Sequence, residues 1–320
     1  MDRIEHRIAL PVPRKAWTSR HQLLEAIGKA AESKLILIVA GPGYGKTGLL
    51  SLYAMRNPNE SFAYLSLSKA ESEPRVFVQS LARALVKSGA LPASHTPRDA
   101  QGNPASDVMD LLDEASANCK RLTLILDAFE NVDDSAGMLG LVASAGRNLP
   151  DNAHLVIASR AMPALKLGAL MQDMSIIGQN SFRLTDEEIL ELISQNASGD
   201  ASSVRTDLIK KVKTVTGGWL TGARLYAQLL SIVQTANQAD EQLDEILSDY
   251  FRTETLERIS PSLRDFVLQT SLLNQVSAEA CEKVLGIENA PALMAETRRQ
   301  NLFVVDSGEG AQGSFSYAPL

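Results

Sequence analysis

The chain has 320 residues, 45% apolar and 22% charged, with a net charge of −7. That is long enough for two or three domains and apolar enough for packed cores, while the acidic balance gives no overall basic footprint for nucleic acid. Cys119 and Cys281 stand far apart without metal-ligand spacing and read as reduced thiols of a cytoplasmic protein, the start of the chain has no apolar segment of the secretion type, and no apolar run is long enough to span a bilayer.

In chain order, residues 1–20 read as an arm with Pro11 and Pro13, ending at Thr18 and Ser19, which are placed to cap a helix over 21–31. Leu23, Leu24 and Ile27 share one face of that helix. Residues 35–40 form a short, branched, apolar run that predicts a buried strand, and they lead directly into a glycine-rich loop and a helix from Lys46. A second strand is expected over 62–67, a helix over 75–88, a loop over 89–104 and a helix over 107–117. A strand over 122–126 ends at Asp127, a helix covers 137–148, and another strand covers 154–159. Alternating strands and helices predict an α/β fold, a parallel sheet with helices on both faces. After about residue 184 the pattern turns helical. Thr185 to Glu188 is a capping sequence, and helices are expected over 208–215, 220–233, 243–248 and 263–273. Two short strands at 302–306 and 314–317, joined by a turn with Gly308 and Gly310, predict a hairpin that suggests a winged helix. The expected division is an arm over 1–20, a nucleotide-binding α/β domain over 21–183, a helical domain over 184–250, and a winged-helix-like domain over 251–320 that reads as cut short.

The loop carries the chemistry. Ala40, Gly41, Pro42, Gly43, Tyr44, Gly45, Lys46, Thr47 and Gly48 follow a strand and open a helix, the context that marks a phosphate-binding loop. Its glycines let backbone N–H groups curl into an anion nest at a helix N-terminus. Lys46 is placed to reach the β- and γ-phosphates of ATP or ADP, and the Thr47 hydroxyl to bind Mg²⁺. The strict pattern begins with glycine; here Ala40 takes that place. A plain glycine turn is the competing reading, and the Gly-Lys-Thr sequence in this context argues against it. Asp127, at the C-terminal end of an apolar strand, is the second expected Mg²⁺ ligand and the one candidate for a catalytic carboxylate, although many strands end in Asp. Arg160 ends the next strand, placed either to sense a γ-phosphate or to serve as a surface cation.

These pieces, in this order, resemble the regulatory ATPase module of MalT-type, large LuxR-family transcription regulators, which are signal-transduction ATPases with numerous domains (STAND). The resemblance rests on residues 41–47, on 64–67 with 74–77, on 124–127, on 155–160 with Pro163, on 182–188, on 217–220 with 223–225, and on 315–317 with Pro319 and Leu320. It implies an ADP-bound resting state and an ATP-bound, self-associating state reached with an inducer or protein partner. Arg20 matches an arginine near the adenine, with a helix-surface cation as the alternative. Trp219 matches a helix start beside the nucleotide, with core packing as the alternative. The chain departs from the family at three places. Ala128 replaces an acidic residue that orients the attacking water. Ser68 and Lys69 replace Asp-Glu. Ala318 replaces a histidine expected near the β-phosphate. The pattern fits nucleotide binding kept and hydrolysis weakened, at most a slow ATPase. The expected function is thus a nucleotide-controlled regulatory switch with no direct DNA binding and no membrane contact by this segment. The alternative is an active P-loop ATPase or small-molecule kinase.

Overall fold

The computed structural model describes residues 4–13, 17–95, 102–196, 202–232, 236–306 and 313–317. Ala318 and the hairpin turn at 307–310 lie outside the described residues. The chain divides into two compact units, Met1–Ala40 with Lys46–Ser181, and Gly41–Gly45 with Phe182–Leu320.

The first unit contains α1 (His21–Ala30), β1 (Leu35–Val39), α2 (Lys46–Arg56), β2 (Ser61–Ser66), α3 (Pro74–Lys87), α4 (Pro104–Ala117), β3 (Leu122–Asp127), α5 (Ala136–Arg147), β4 (Ala153–Ser159) and β5 (Met174–Gly178). The strands form one parallel sheet in the order β2-β3-β4-β1-β5. β1 and β3 are buried along their whole length, which is why they read as continuous apolar runs rather than alternating ones: helices cover both faces. Leu35, Leu37, Leu124, Leu126, Leu155 and Ile157 pack on one face with Phe77, Leu81 and Leu112 from α3 and α4. β5 was not expected from sequence. It is an edge strand whose Ile176 is half exposed, so it lacks the buried apolar run that marks the others.

The start of α1 also differs from expectation. Its N-cap is Arg20, in left-handed backbone (φ 49°) and without a side-chain cap. The N-cap position thus falls to Arg20 and not to Thr18 or Ser19. α4 begins at Pro104, capped by the Asn103 side chain on the Ala105 N–H, so the loop expected to run to 104 ends one residue earlier.

The second unit holds α6 (Asp186–Asn196), α7 (Ser202–Thr216), α8 (Leu220–Ile232), α9 (Ala236–Phe251), α10 (Pro261–Thr270), α11 (Ala278–Leu285), α12 (Ala290–Arg299), β6 (Val304–Asp306) and β7 (Phe315–Tyr317). The capping sequence works as read: Glu188 N–H donates to Thr185 Oγ1 at 3.3 Å, and Thr185 N–H donates to the Glu188 carboxylate at 3.0 Å. β6 and β7 pair antiparallel, and Val276 bridges to Phe315. Leu263, Phe266, Cys281, Met294 and Phe315 form their own core. α11 and α12 were missed in the sequence because they bury few large apolar side chains: the buried residues are Cys281 in α11, and Ala290, Met294 and Thr297 in α12. Among the described residues no helix is long and apolar enough to cross a membrane.

Candidate functional site

The sheet register brings the charged residues of the first unit to one edge. Ser66 is paired with Asp127, Leu126 with Ile157, and Val39 with Ser159, so the C-terminal ends of β2, β3, β4 and β1 form a row. Ala40 continues β1, donating its N–H to the Ser159 carbonyl at 3.2 Å. It is fully buried, so the small side chain in place of glycine is accommodated. Lys46 opens α2 and donates to the Ala40 carbonyl at 2.6 Å. Burial pushes the Lys46 ammonium down from its ordinary pKa. The Glu130 and Asp127 carboxylates oppose that shift, and Arg160 adds to it. Gly48 lies against Trp17, whose ring stands 3.7 Å from where a Cβ would be.

Asp127 is buried and held from several sides. Its Oδ2 accepts from the Thr47 hydroxyl at 2.6 Å and from the Tyr64 hydroxyl at 3.0 Å, while Oδ1 accepts from the Ala128 N–H at 2.8 Å. Burial, followed by the charge of Asp127, raises the Tyr64 phenol far above its ordinary pKa, so it stays a donor. A hydroxyl and a carboxylate side by side at a strand end are hard oxygen donors of the type Mg²⁺ prefers. Ala128 itself is in left-handed backbone, φ 55°, uncommon for a residue with a Cβ. The turn it makes starts a single 3₁₀ turn, Phe129–Asn131.

That turn presents a residue that sequence reasoning left out of the site. Glu130 Oε1 pairs with Arg160 Nε at 3.0 Å, and Oε2 accepts from the Arg160 backbone N–H at 3.1 Å. Arg160 is three-quarters buried in this pair and is not an exposed surface cation. The only sequence signal for Glu130 was a carboxylate three positions beyond Asp127. Arg20 is 4% exposed, so the helix-surface alternative for it does not hold.

In the second unit, Gly43 and Gly45 adopt φ of 74° and 91°. A Cβ on Gly43 would come within 2.8 Å of the Trp219 ring, and one on Gly45 within 2.7 Å of Leu220. Both glycines are thus required by backbone conformation and by close approach. The Trp219 indole N–H donates to the Pro42 carbonyl at 3.0 Å, and the Thr221 hydroxyl and N–H donate to the Gly43 carbonyl at 2.9 and 3.2 Å. In a trans peptide the N–H points opposite the carbonyl, so the amides of Gly43 and Tyr44 face away from these donors. Trp219 is also core, with ring centroids 5.3 to 5.8 Å from Tyr250, Phe251 and Phe303.

Comparison with known proteins agrees with this architecture. Residues 252–320 match the family model of the MalT winged helix domain. Over 99% of its length the chain is 26% identical to the HTH-type transcriptional regulator MalT of Cronobacter sakazakii, and it is 26% identical to those of Klebsiella pneumoniae and Yersinia pestis. It spans 36% of the length of these relatives. Among solved structures it resembles the Walker-type ATPase PABY2304 of Pyrococcus abyssi, with a TM-score of 0.66 at 13% identity over 97% of each chain. The ORC2 protein of Aeropyrum pernix, solved as ADPNP–ADP complexes, gives a TM-score of 0.54 at 12% identity over 97% of this chain and 91% of that one. At such identities the likeness concerns the fold. The chain is therefore similar over nearly its whole length to the MalT-type transcriptional regulators, a P-loop ATPase fold followed by helices and by that family's winged helix domain.

Proposed function

We propose that this chain is the nucleotide-controlled switch module of a MalT-like, LuxR-type regulator. It binds ATP or ADP with Mg²⁺ through Ala40, Gly41, Pro42, Gly43, Tyr44, Gly45, Lys46, Thr47 and Gly48, with Arg20 toward the adenine and Arg160 toward the γ-phosphate. The observation that carries this reading is the Thr47–Asp127 hydrogen bond of 2.6 Å beside Lys46. It supports Thr47 and Asp127 as the Mg²⁺ ligands, and bound Mg²⁺ would neutralise charge on the β- and γ-phosphates. Hydrolysis is slow in this reading. Ala128 offers no carboxylate, Asp127 is engaged with three donors, and Glu130 is engaged with Arg160. The module works in the cytoplasm, responds to an inducer or protein partner, self-associates in the ATP form and leaves DNA contact to other parts of the regulator.

Lys46→Ala tests the site. The variant should lose the thermal stabilisation that ADP gives the parent, about 2.7 kcal/mol at a hundred times the Kd. Equal stabilisation of both proteins would refute the assignment. Steady-state turnover separates the alternative enzyme reading: a rate on the order of 1–100 s⁻¹, typical of phosphoryl-transfer kinases, would favour it.

A further inference from the structure

We infer that Glu130 sets the nucleotide preference of the site, disfavouring ATP relative to ADP through its hold on Arg160. This inference rests on the nucleotide reading above. Two cations, Lys46 and Arg160, and two carboxylates, Asp127 and Glu130, share the C-terminal edge of the sheet: Lys46 donates to the Ala40 carbonyl, the Ala40 N–H donates to the carbonyl of Ser159, and Arg160, the next residue, pairs with Glu130. Thr47 and Tyr64 occupy Asp127, the Mg²⁺ side of the group. Glu130 is different. It takes both the guanidinium, at 3.0 Å, and the backbone N–H, at 3.1 Å, of Arg160. Lys46 and Arg160 are the two cations a terminal phosphate would seek.

A γ-phosphate reaching Lys46 and Arg160 adds negative charge beside Glu130. It either competes with Glu130 for the guanidinium or stands next to an uncompensated carboxylate, and both cost affinity. ADP, ending at the β-phosphate, leaves the Glu130–Arg160 pair intact. The pair therefore biases the site toward ADP, as a resting state requires. It also explains why a carboxylate at 130 is compatible with alanine at 128: an ion-paired Glu130 holds Arg160 instead of orienting water. Ala128 contributes by its left-handed turn, which starts the 3₁₀ turn that carries Glu130.

The test is calorimetric titration of ADP and of adenylyl imidodiphosphate, each with Mg²⁺, into the parent, Glu130→Gln, Arg160→Gln and Asp134→Asn. Glutamine keeps the shape and an acceptor for the Arg160 N–H but removes the charge. Asp134, exposed and paired with Lys69 at 2.8 Å, controls for loss of one negative charge elsewhere. The parent should favour ADP. Glu130→Gln should shift the affinity ratio toward the triphosphate analogue by about tenfold, within the range of coupling between interacting sites. Arg160→Gln should weaken the analogue more than ADP, and Asp134→Asn should leave the ratio unchanged. Melting without nucleotide checks that each variant folds, and Glu130→Ala gives a second reading of the same ratio. If the parent binds both nucleotides and neither Glu130 variant moves the ratio, Glu130 has no such role. If the parent binds neither, the nucleotide reading itself fails and this inference with it.

Discussion

The carboxylate of Asp127 shows how a strand end becomes a site one hydrogen bond at a time. β3 fixes the backbone, Thr47 and Tyr64 fix one oxygen, and the Ala128 N–H fixes the other. Tyr64 is the informative partner because it sits on the neighbouring strand and reaches Asp127 by its hydroxyl alone. Groups that orient metal ligands from behind commonly change metal affinity about tenfold or more when removed. Tyr64→Phe should therefore raise the Mg²⁺ concentration needed for half-maximal nucleotide binding by about tenfold, while leaving ADP binding in excess chelator unchanged. An unaltered Mg²⁺ dependence would mean that Thr47 and the backbone position Asp127 without help. The loop, Lys46, Thr47 and Asp127 were legible in the sequence because their spacing is local and their residue types are restrictive. Glu130 and Tyr64 were not, because each acts across strands: Glu130 reaches the end of β4 only through the turn at Ala128, and Tyr64 reaches Asp127 only through the pairing of β2 with β3.

Among the elements, the buried strands β1, β3 and β4 and the capped helix α6 were readable because burial on both faces and a reciprocal cap leave direct signatures. Edge strand β5 and the short helices α11 and α12 were not, since their burial is partial. The segment after β2 shows a further limit. Ser68 and Lys69 stood out as departures from an acidic pair, yet Ser68 has a local structural use. It begins a 3₁₀ turn over Lys69–Ser72 through a reciprocal cap with Glu71. Glu71 is fully buried and takes both guanidinium nitrogens of Arg7, at 2.7 and 2.9 Å, together with the hydroxyls of Ser68 and Ser80. Burial alone would raise its carboxyl, but the hydrogen bonds from Arg7, Ser68 and Ser80 prevail and bring it down to about 2. The N-terminal arm is thereby fastened to β2, where Arg7 also accepts the Ser66 N–H on its carbonyl. Arg7→Met removes one partner of a buried pair and should cost about 3 kcal/mol of stability near neutral pH. Because the folded-state carboxyl lies below its ordinary value of 4.5, the contribution is present above that pH and is lost as the pH falls through about 2. Denaturant melts of parent and variant should therefore converge in acid. A gap independent of pH would assign the loss to packing of the Arg7 stem.

Across the whole molecule, the chain leaves the first unit after Ala40 and re-enters it at Lys46, with Gly41–Gly45 grouped with the helices that follow Phe182. The glycine-rich loop is thus continuous in sequence with the Lys46–Thr47 helix start, while its Pro42 and Gly43 carbonyls are bound by Trp219 and Thr221, about 180 positions later. Trp219 fills the aromatic cluster with Phe251 and Phe303 and spends its one polar atom on Pro42. A residue readable as core packing is thus also hydrogen-bonded to the glycine-rich loop. Trp219→Phe keeps most of the apolar volume and removes that donor. A buried carbonyl losing its side-chain partner costs about 1–3 kcal/mol, partly in the stability of the free protein and partly in the freedom regained by the loop. The variant should melt earlier than the parent without nucleotide. Its ADP affinity should also fall by about fivefold, the equivalent of one lost neutral hydrogen bond, although residue 219 itself supplies no group to the phosphates. Thr221→Val should do the same more weakly, since the Thr221 N–H still donates to the Gly43 carbonyl. Thermal melts with and without saturating ADP, followed by calorimetric titration, separate the two effects. A Trp219→Phe protein that melts early yet binds ADP as the parent does would show that the loop holds its nucleotide-binding shape without the indole, leaving Trp219 a core residue only.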